Sequence, residues 1–267
     1  MDTAVSSPRP KRRRHRHLLS ALALFFLLPA LASLGVLAYQ GGPRAWWSYD
    51  RNAPSALPAA ASHPDARVLV MTGRTRGWKG AVAVHSWIVI KPAKAASWRR
   101  YDVVGWGASP VRTNWQGPDS WFGETPGLVL DLKGKAAEAV IPRIEAAIKE
   151  YRYNNDGDYR MWPGPNSNTF TAAVLRAIPE VQTTLPPHAI GRDFRPLPYA
   201  GLTDSGTGVE LNLWGLLGLK LAWVEGIELN IGGFVTGLDV RQPGVKLPGF
   251  GRIGLGSQSA TAATLSK

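Results

Sequence analysis

The chain contains no cysteine, which excludes disulfides, thiolate metal sites, redox pairs and a thiol nucleophile. An exported domain does without such staples when its core is large, and 267 residues allow one large or two small domains beside an export segment. Histidine is scarce too: outside the basic N-terminal arm only His63, His85 and His188 occur. No His, Asp or Glu pair shows the helical or hairpin spacing of metal ligands, so neither metal nor cofactor is expected. A Gly-x-Ser-x-Gly elbow and a glycine-rich phosphate loop with its lysine are both missing. Asp204-Ser205-Gly206 matches an aspartic-protease signature, but three such residues are a common turn and carry no weight.

The formal charge of +12 looks at first like a nucleic-acid signature. Its distribution says otherwise, because residues 1–17 hold Arg9, Lys11, Arg12, Arg13, Arg14 and Arg16 against only Asp2. The remaining excess is scattered from position 44 onward, with no dense basic run and no nucleic-acid motif. Nucleic acid is therefore not an expected partner.

Leu18 to Tyr39 comes after the basic arm without a single charge. About 20 apolar residues span a bilayer core as a helix. The positive-inside rule then keeps the arm in the cytoplasm and sends the rest of the chain outside. Ala30-Leu31-Ala32 resembles a signal-peptidase site, yet the apolar run continues through Leu34, Val36, Leu37 and Ala38, beyond the ~7–15 residues of a signal h-region. An uncleaved anchor in a bacterial inner membrane is the favoured reading, and either reading exports the chain beyond Tyr39.

Residues 40–66, rich in Gly, Pro and Ala, supply little for a core and are expected to form a linker, with Trp46 and Trp47 at the membrane interface. From Arg67 to about residue 200 the pattern predicts an α+β core: strands at 67–71, 81–91, 101–106 and 128–132, then an apolar stripe over Lys135 to Tyr151. Pro142 interrupts that stripe, so the regular helix is expected to start near Ile141. Phe170, Val174 and Ile178 recur at helical spacing after a Pro-Gly-Pro loop and stop at Pro179. The tail, residues 201–267, is apolar and glycine-rich. Leu211 to Trp223 is too soon interrupted by Lys220, Glu225 and Glu228 to be a second span, and short alternating strands are expected there.

Two residues invite a chemical reading. Ser167 sits at or just before a helix N-terminus, where it is either a cap or a nucleophile helped by unpaired amides and the helix dipole. Helix-end electrostatics alone do not ionise a hydroxyl, so a catalytic serine needs a base. His85 lies mid-strand on the same face as Trp87. It is either a packed side chain with satisfied nitrogens or that base. Asp102 on the next strand is the candidate to orient the imidazole. The Ser167 or Asn168 amide and the Asn166 side chain are candidates for an oxyanion hole, and Trp162 for substrate contact.

The blocks Ala83-Val84-His85-Ser86-Trp87-Ile88-Val89-Ile90-Lys91-Pro92, Arg100-Tyr101-Asp102-Val103-Val104-Gly105-Trp106-Gly107 and Trp162-Pro163-Gly164-Pro165-Asn166-Ser167-Asn168-Thr169-Phe170, in that order, resemble the bacterial family called domain of unknown function 3750. The resemblance covers roughly Arg67 to Gly191 and implies no settled activity. A more distant one is to circularly permuted papain-like proteins, which include NlpC/P60-related, lecithin:retinol acyltransferase-like and PPPDE peptidase groups. There a strand histidine precedes a nucleophile motif at a helix start, as His85 precedes Asn166-Ser167-Asn168-Thr169-Phe170 here. Ser167 stands where those families place cysteine. That resemblance implies a small, mostly antiparallel sheet packed with helices. It also implies either a serine-dependent hydrolase or acyltransferase of the cell envelope, acting on peptide, peptidoglycan or lipid, or a non-catalytic binding or scaffold module that kept the fold.

Overall fold

The computed structural model describes residues 11–43 and 55–256, without the side chains of 11–16. Trp46 and Trp47 fall outside the described residues. Helix α1 (Lys11–Leu22), a π turn at Ala23–Leu27 and helix α2 (Leu28–Tyr39) run on as one rod. Its segment His17–Tyr39 has a mean hydropathy of 2.4 and is only 11% buried. Among the described residues it is the one helix long and apolar enough to cross a membrane.

The rest is α+β, built on two antiparallel sheets. The first contains β1 (Arg67–Arg74), β2 (Val84–Lys91), β3 (Arg99–Val103), β4 (Val111–Thr113) and β5 (Gly127–Lys133), ordered β4-β3-β2-β1-β5. Val68, Val70, Val84, Ile88, Ile90, Leu130 and Leu132 point to one face. There they meet helix α3 (Gly134–Lys149) through Ala137, Val140, Ile141 and Ile144, and helix α4 (Ser167–Arg176) through Phe170, Val174 and Leu175. The other face carries a smaller cluster of Leu69, Met71, Trp87, Val89 and Trp121.

Two expectations need correction here. α3 does not begin at Ile141 but runs unbroken from Gly134 through Pro142. Pro142 lies on the exposed side, and so does Glu138 four residues before it, so the carbonyl that loses its partner is left to water. Nor is all of 40–66 a free tether. Asp119 accepts hydrogen bonds from Ser55 Oγ (2.6 Å) and from the amides of Ala56 (2.6 Å) and Leu57 (3.1 Å). Ala60 and Ala66 are buried, and Lys91 Nζ binds the His63 carbonyl at 2.7 Å. Small residues pack here because their backbone, not their side chains, makes the contacts.

The tail forms a second sheet rather than an appendage of the first. β6 (Tyr199–Leu202), β7 (Gly208–Leu213), β8 (Leu217–Ala222), β9 (Gly226–Ile231), β10 (Phe234–Asp239), β11 (Gly244–Leu247) and β12 (Gly251–Gly254) succeed one another as a meander of adjacent strands. One face holds paired charges. Lys220 Nζ reaches Asp193 Oδ1 at 2.6 Å, Glu228 receives Lys246 (2.6 Å) and Arg192, and Arg195 bridges Asp204 (2.7 Å) and Glu210 (3.1 Å). All these groups except Arg195 are buried, which is tolerable because each is paired. The pairs tie the segment after α4 to the sheet.

Candidate functional site

The first sheet's second face is organised around a carboxylate. Asp102 on β3 is fully buried. Its Oδ1 lies 2.6 Å from His85 Nε2, and its Oδ2 accepts from Arg100 Nε at 2.5 Å and Trp115 Nε1 at 2.7 Å. Arg100, two residues away on the same strand, faces the same way. Its Nη1 donates to the carbonyls of both Gly117 (2.8 Å) and Ser120 (2.6 Å), its Nη2 to Asp102 Oδ1 (3.3 Å), and its guanidinium lies 4.3 Å over the Trp87 ring. Burial by itself would raise the Asp102 pKa, but hydrogen bonding to His85 and the Arg100 charge outweigh it and hold the carboxyl below its ordinary value. An ionised carboxylate only accepts, so His85 Nε2 carries the proton and the lone pair of the neutral ring sits on Nδ1.

The imidazole is also clamped by its faces. It stacks on Trp121 at 4.4 Å and 8°, and Trp121 in turn stacks on Trp87. Trp121 can lie there because Gly73, the residue paired with His85 across β1 and β2, has no side chain; a Cβ would come within 2.1 Å of the indole. Trp121 Nε1 donates to the Arg74 carbonyl at 2.7 Å. Arg74 also lines a cavity of about 650 Å³ between the apolar N-terminal helix and the domain, along with Leu37, Gln40 and Glu124.

The loop before α4 is equally fixed, and the cap is Asn166, not Ser167. Asn166 Oδ1 accepts from the amides of Asn168 (2.9 Å) and Thr169 (3.1 Å), while Thr169 Oγ1 accepts from the Asn166 amide. Together these bonds form a capping box. Asn166 Nδ2 donates to the carbonyls of Met161 and Ile190, both at 3.0 Å. Gly191 must be glycine here, since a Cβ would meet the Asn166 amide at 2.3 Å. Asn168 Nδ2 donates to Val84 and Ile190 carbonyls, both at 2.8 Å. Both side-chain amides are thus spent on the fold, which leaves neither free to hold an oxyanion. Trp162 donates from Nε1 to the Gly232 carbonyl at 2.9 Å and so bridges this loop to the second sheet.

Ser167 is the first residue of α4 and is 4% exposed. Among the described residues neither its hydroxyl nor its amide has a hydrogen-bond partner, while its carbonyl receives Ser86 Oγ at 3.4 Å. Ser86 also donates to Asn168 Oδ1 at 2.8 Å. Strand alternation therefore turns Ser86 toward α4 and its neighbour His85 toward Trp121. The structure brings His85 and Asp102 together, and it brings the start of β2 to the start of α4. No hydrogen bond joins His85 to Ser167.

Sequence reading misses Arg100, Ser86, Trp115 and Trp121. Arg100 is readable as the i−2 neighbour of Asp102 on one strand face. The two tryptophans come from an irregular loop, where no periodicity points to them.

Residues 65–194 match the model of a family described as protein of unknown function (DUF3750), and the chain belongs to that family. No curated protein and no solved structure matches it.

Proposed function

We propose that this DUF3750 member is a membrane-anchored envelope protein whose domain works outside the cytoplasm as a serine-dependent amide or ester hydrolase or acyltransferase. In this reading the basic arm stays in the cytoplasm, and the substrate is an envelope component that presents an acyl bond: a peptide, a peptidoglycan stem or a lipid. Ser167 is the nucleophile, His85 the general base and Asp102 the residue that orients it. The observation that carries the reading is the 2.6 Å bond from Asp102 to His85 Nε2, which leaves Nδ1 as the proton acceptor.

The chemistry is conventional acyl transfer. As Ser167 Oγ attacks the carbonyl carbon, its proton passes to His85 Nδ1, and the carbonyl oxygen becomes an oxyanion beside the free Ser167 amide at the positive end of α4. Collapse of that intermediate breaks the acyl bond, and the leaving amine or alkoxide takes the proton from Nδ1. Water, or an acceptor hydroxyl or amine, then attacks the acyl-serine with His85 again as base. In the free protein His85 and Ser167 are not hydrogen-bonded and lie toward opposite faces of β2, so this reading requires the start of β2 or the loop before α4 to rearrange when substrate binds.

A second reading has its own support. His85 stacks on Trp121 while Ser86 faces α4, as in a non-catalytic binding or scaffold module where both residues serve the fold. Labelling of the full chain in detergent with a fluorophosphonate separates the two. The hydrolase reading requires labelling of the native chain that is lost in both Ser167→Ala and His85→Gln. A native chain that stays unlabelled, while a serine hydrolase in the same tube reacts, returns the domain to the binding class.

A further inference from the structure

Antiparallel sheets of water-soluble domains turn their apolar face inward and their polar face to solvent. The second sheet does the reverse. Register pairs Val209 with Leu221, Leu211 with Leu219, Leu213 with Leu217, Leu219 with Leu229, Leu221 with Ile227, Leu238 with Ile227 and with Val245, and Val245 with Ile253. All of these side chains share one face, and all are exposed. Opposite them, the buried face carries Glu210, Lys220, Glu228, Asn230 and Lys246. Paired charge therefore fills the interior, and leucine, valine and isoleucine coat the outside across most of the sheet.

From this geometry we infer that the apolar face of the second sheet rests on lipid: on the reading of the N-terminal helix as a membrane segment, the sheet enters the bilayer alongside that helix, which packs against β10. With four strands of about 20 Å and three of about 13 Å in rows about 4.8 Å apart, the face covers about 570 Å², at the top of the range for the largest apolar patch on a soluble monomer, which is often functional. Its neighbour indicates what covers it. The π turn Ala23–Leu27, inside the membrane-crossing segment, packs against β10, and Ser33 of α2 donates to the Ala81 carbonyl at 2.5 Å. The sheet is thus held against the apolar helix rather than at the end of a tether. Trp214 and Trp223, both exposed, sit in the turns at the two ends of β8, where amphipathic rings suit the interface.

Strand length sets the depth. The longest strands of this sheet have 6 residues, whereas a bilayer-spanning strand needs about 9–11. The outer edges of β6 and β12 are open, and unpaired backbone is costly in hydrocarbon. The sheet therefore dips into the bilayer beside the helix and does not cross it as a barrel would. A second copy of the chain is the rival occupant, but the apolar helix packed beside this sheet favours lipid.

Cysteine scanning tests this cleanly, because the native chain has none. Leu211→Cys and Leu219→Cys on the outer face and Asp156→Cys on an exposed loop would be made in the full chain and spin-labelled. Each would be reconstituted into phosphatidylethanolamine–phosphatidylglycerol vesicles, and collisions with oxygen compared with those of a water-soluble nickel chelate. The inference expects the Leu211 and Leu219 labels to gain oxygen collisions and lose nickel collisions, with the Asp156 label the reverse. Nickel access at Leu211 and Leu219 equal to that at Asp156 overturns it. So does dipolar coupling between labels on different molecules, which would give the face to a second copy. Low access to both reagents without coupling also overturns it, since the chain itself would then cover the face. All three sites are exposed, so the labels leave the folded core untouched.

Discussion

Asp102 holds His85 by Nε2, at 2.6 Å, and leaves Nδ1 as the basic nitrogen of the ring. The same carboxylate neutralises Arg100, whose guanidinium is buried against Trp87. One residue therefore sets both the tautomer of the histidine and the charge balance of the face. Asp102→Asn keeps the shape and removes the charge, leaving Arg100 buried without a counterion. The expected cost is about 3 kcal/mol in urea unfolding. If Ser167 is a nucleophile, its probe-labelling rate should also fall by ~10²-fold or more, because the asparagine no longer fixes the proton on Nε2. Unchanged labelling in a folded variant would remove Asp102 from the reaction.

Ser167 and Asn166 make a contrasting pair. The Ser167 hydroxyl has no partner among the described residues, whereas Asn166 accepts two amides and donates to two carbonyls. Ser167→Ala is expected to change stability by no more than about 0.5 kcal/mol. Asn166→Ala should cost about 2 kcal/mol or more, since a cap is lost and buried carbonyls lose their donors. Thermal or urea unfolding of the two variants side by side decides this. A loss at Ser167 as large as at Asn166 would mean that the serine supports the helix start after all.

The Trp121 stack depends on an absent side chain. A Cβ on Gly73 would fall 2.1 Å from Trp121 Cδ1, inside rigid aromatic rings that have nowhere to go. Gly73→Ala should therefore push Trp121 off His85 and cost about 3 kcal/mol. The near-ultraviolet circular dichroism of the stacked indoles is expected to weaken in step. Retention of that signal at native stability would show that the loop yields easily.

Much of this is legible in the sequence, and the reasons for the misses are physical. Four strands of the first sheet and α4 announce themselves by period. His85 and Asp102 stand out because alternation puts one beside Trp87 and the other on the next strand. Ser167 reads as a helix start, but the cap falls one residue earlier, since only a side chain with both an acceptor and two donors can serve Met161, Ile190 and the helix amides at once. The second sheet shows the deeper limit. Alternation in Gly226-Ile227-Glu228-Leu229-Asn230-Ile231 reveals which residues share a face, but not which face is covered. Here the charged one is inside, because Arg192, Asp193 and Arg195 arrive from the preceding segment to pair with it.

His188 gives a pH dependence with a definite sign. Its Nδ1 is buried without a partner among the described residues, and the ring packs against Gly251 of β12. Burial first, then the nearby charges of Arg74 and Arg192, lower its pKa from 6.5 to about 3. Between those values the unfolded chain binds a proton that the folded chain refuses, so this contribution to stability is complete above pH 6.5 and is lost as pH falls toward 3. At pH 5 the loss amounts to about 2 kcal/mol. His188→Gln cannot take up the proton in either state, so its stability should fall less than the native chain's between about pH 7 and pH 5, by about that amount. Comparing variant with native chain cancels the titration of the remaining histidines. Equal slopes in urea unfolding at the two pH values would show that His188 is protonated as readily inside the fold as outside it.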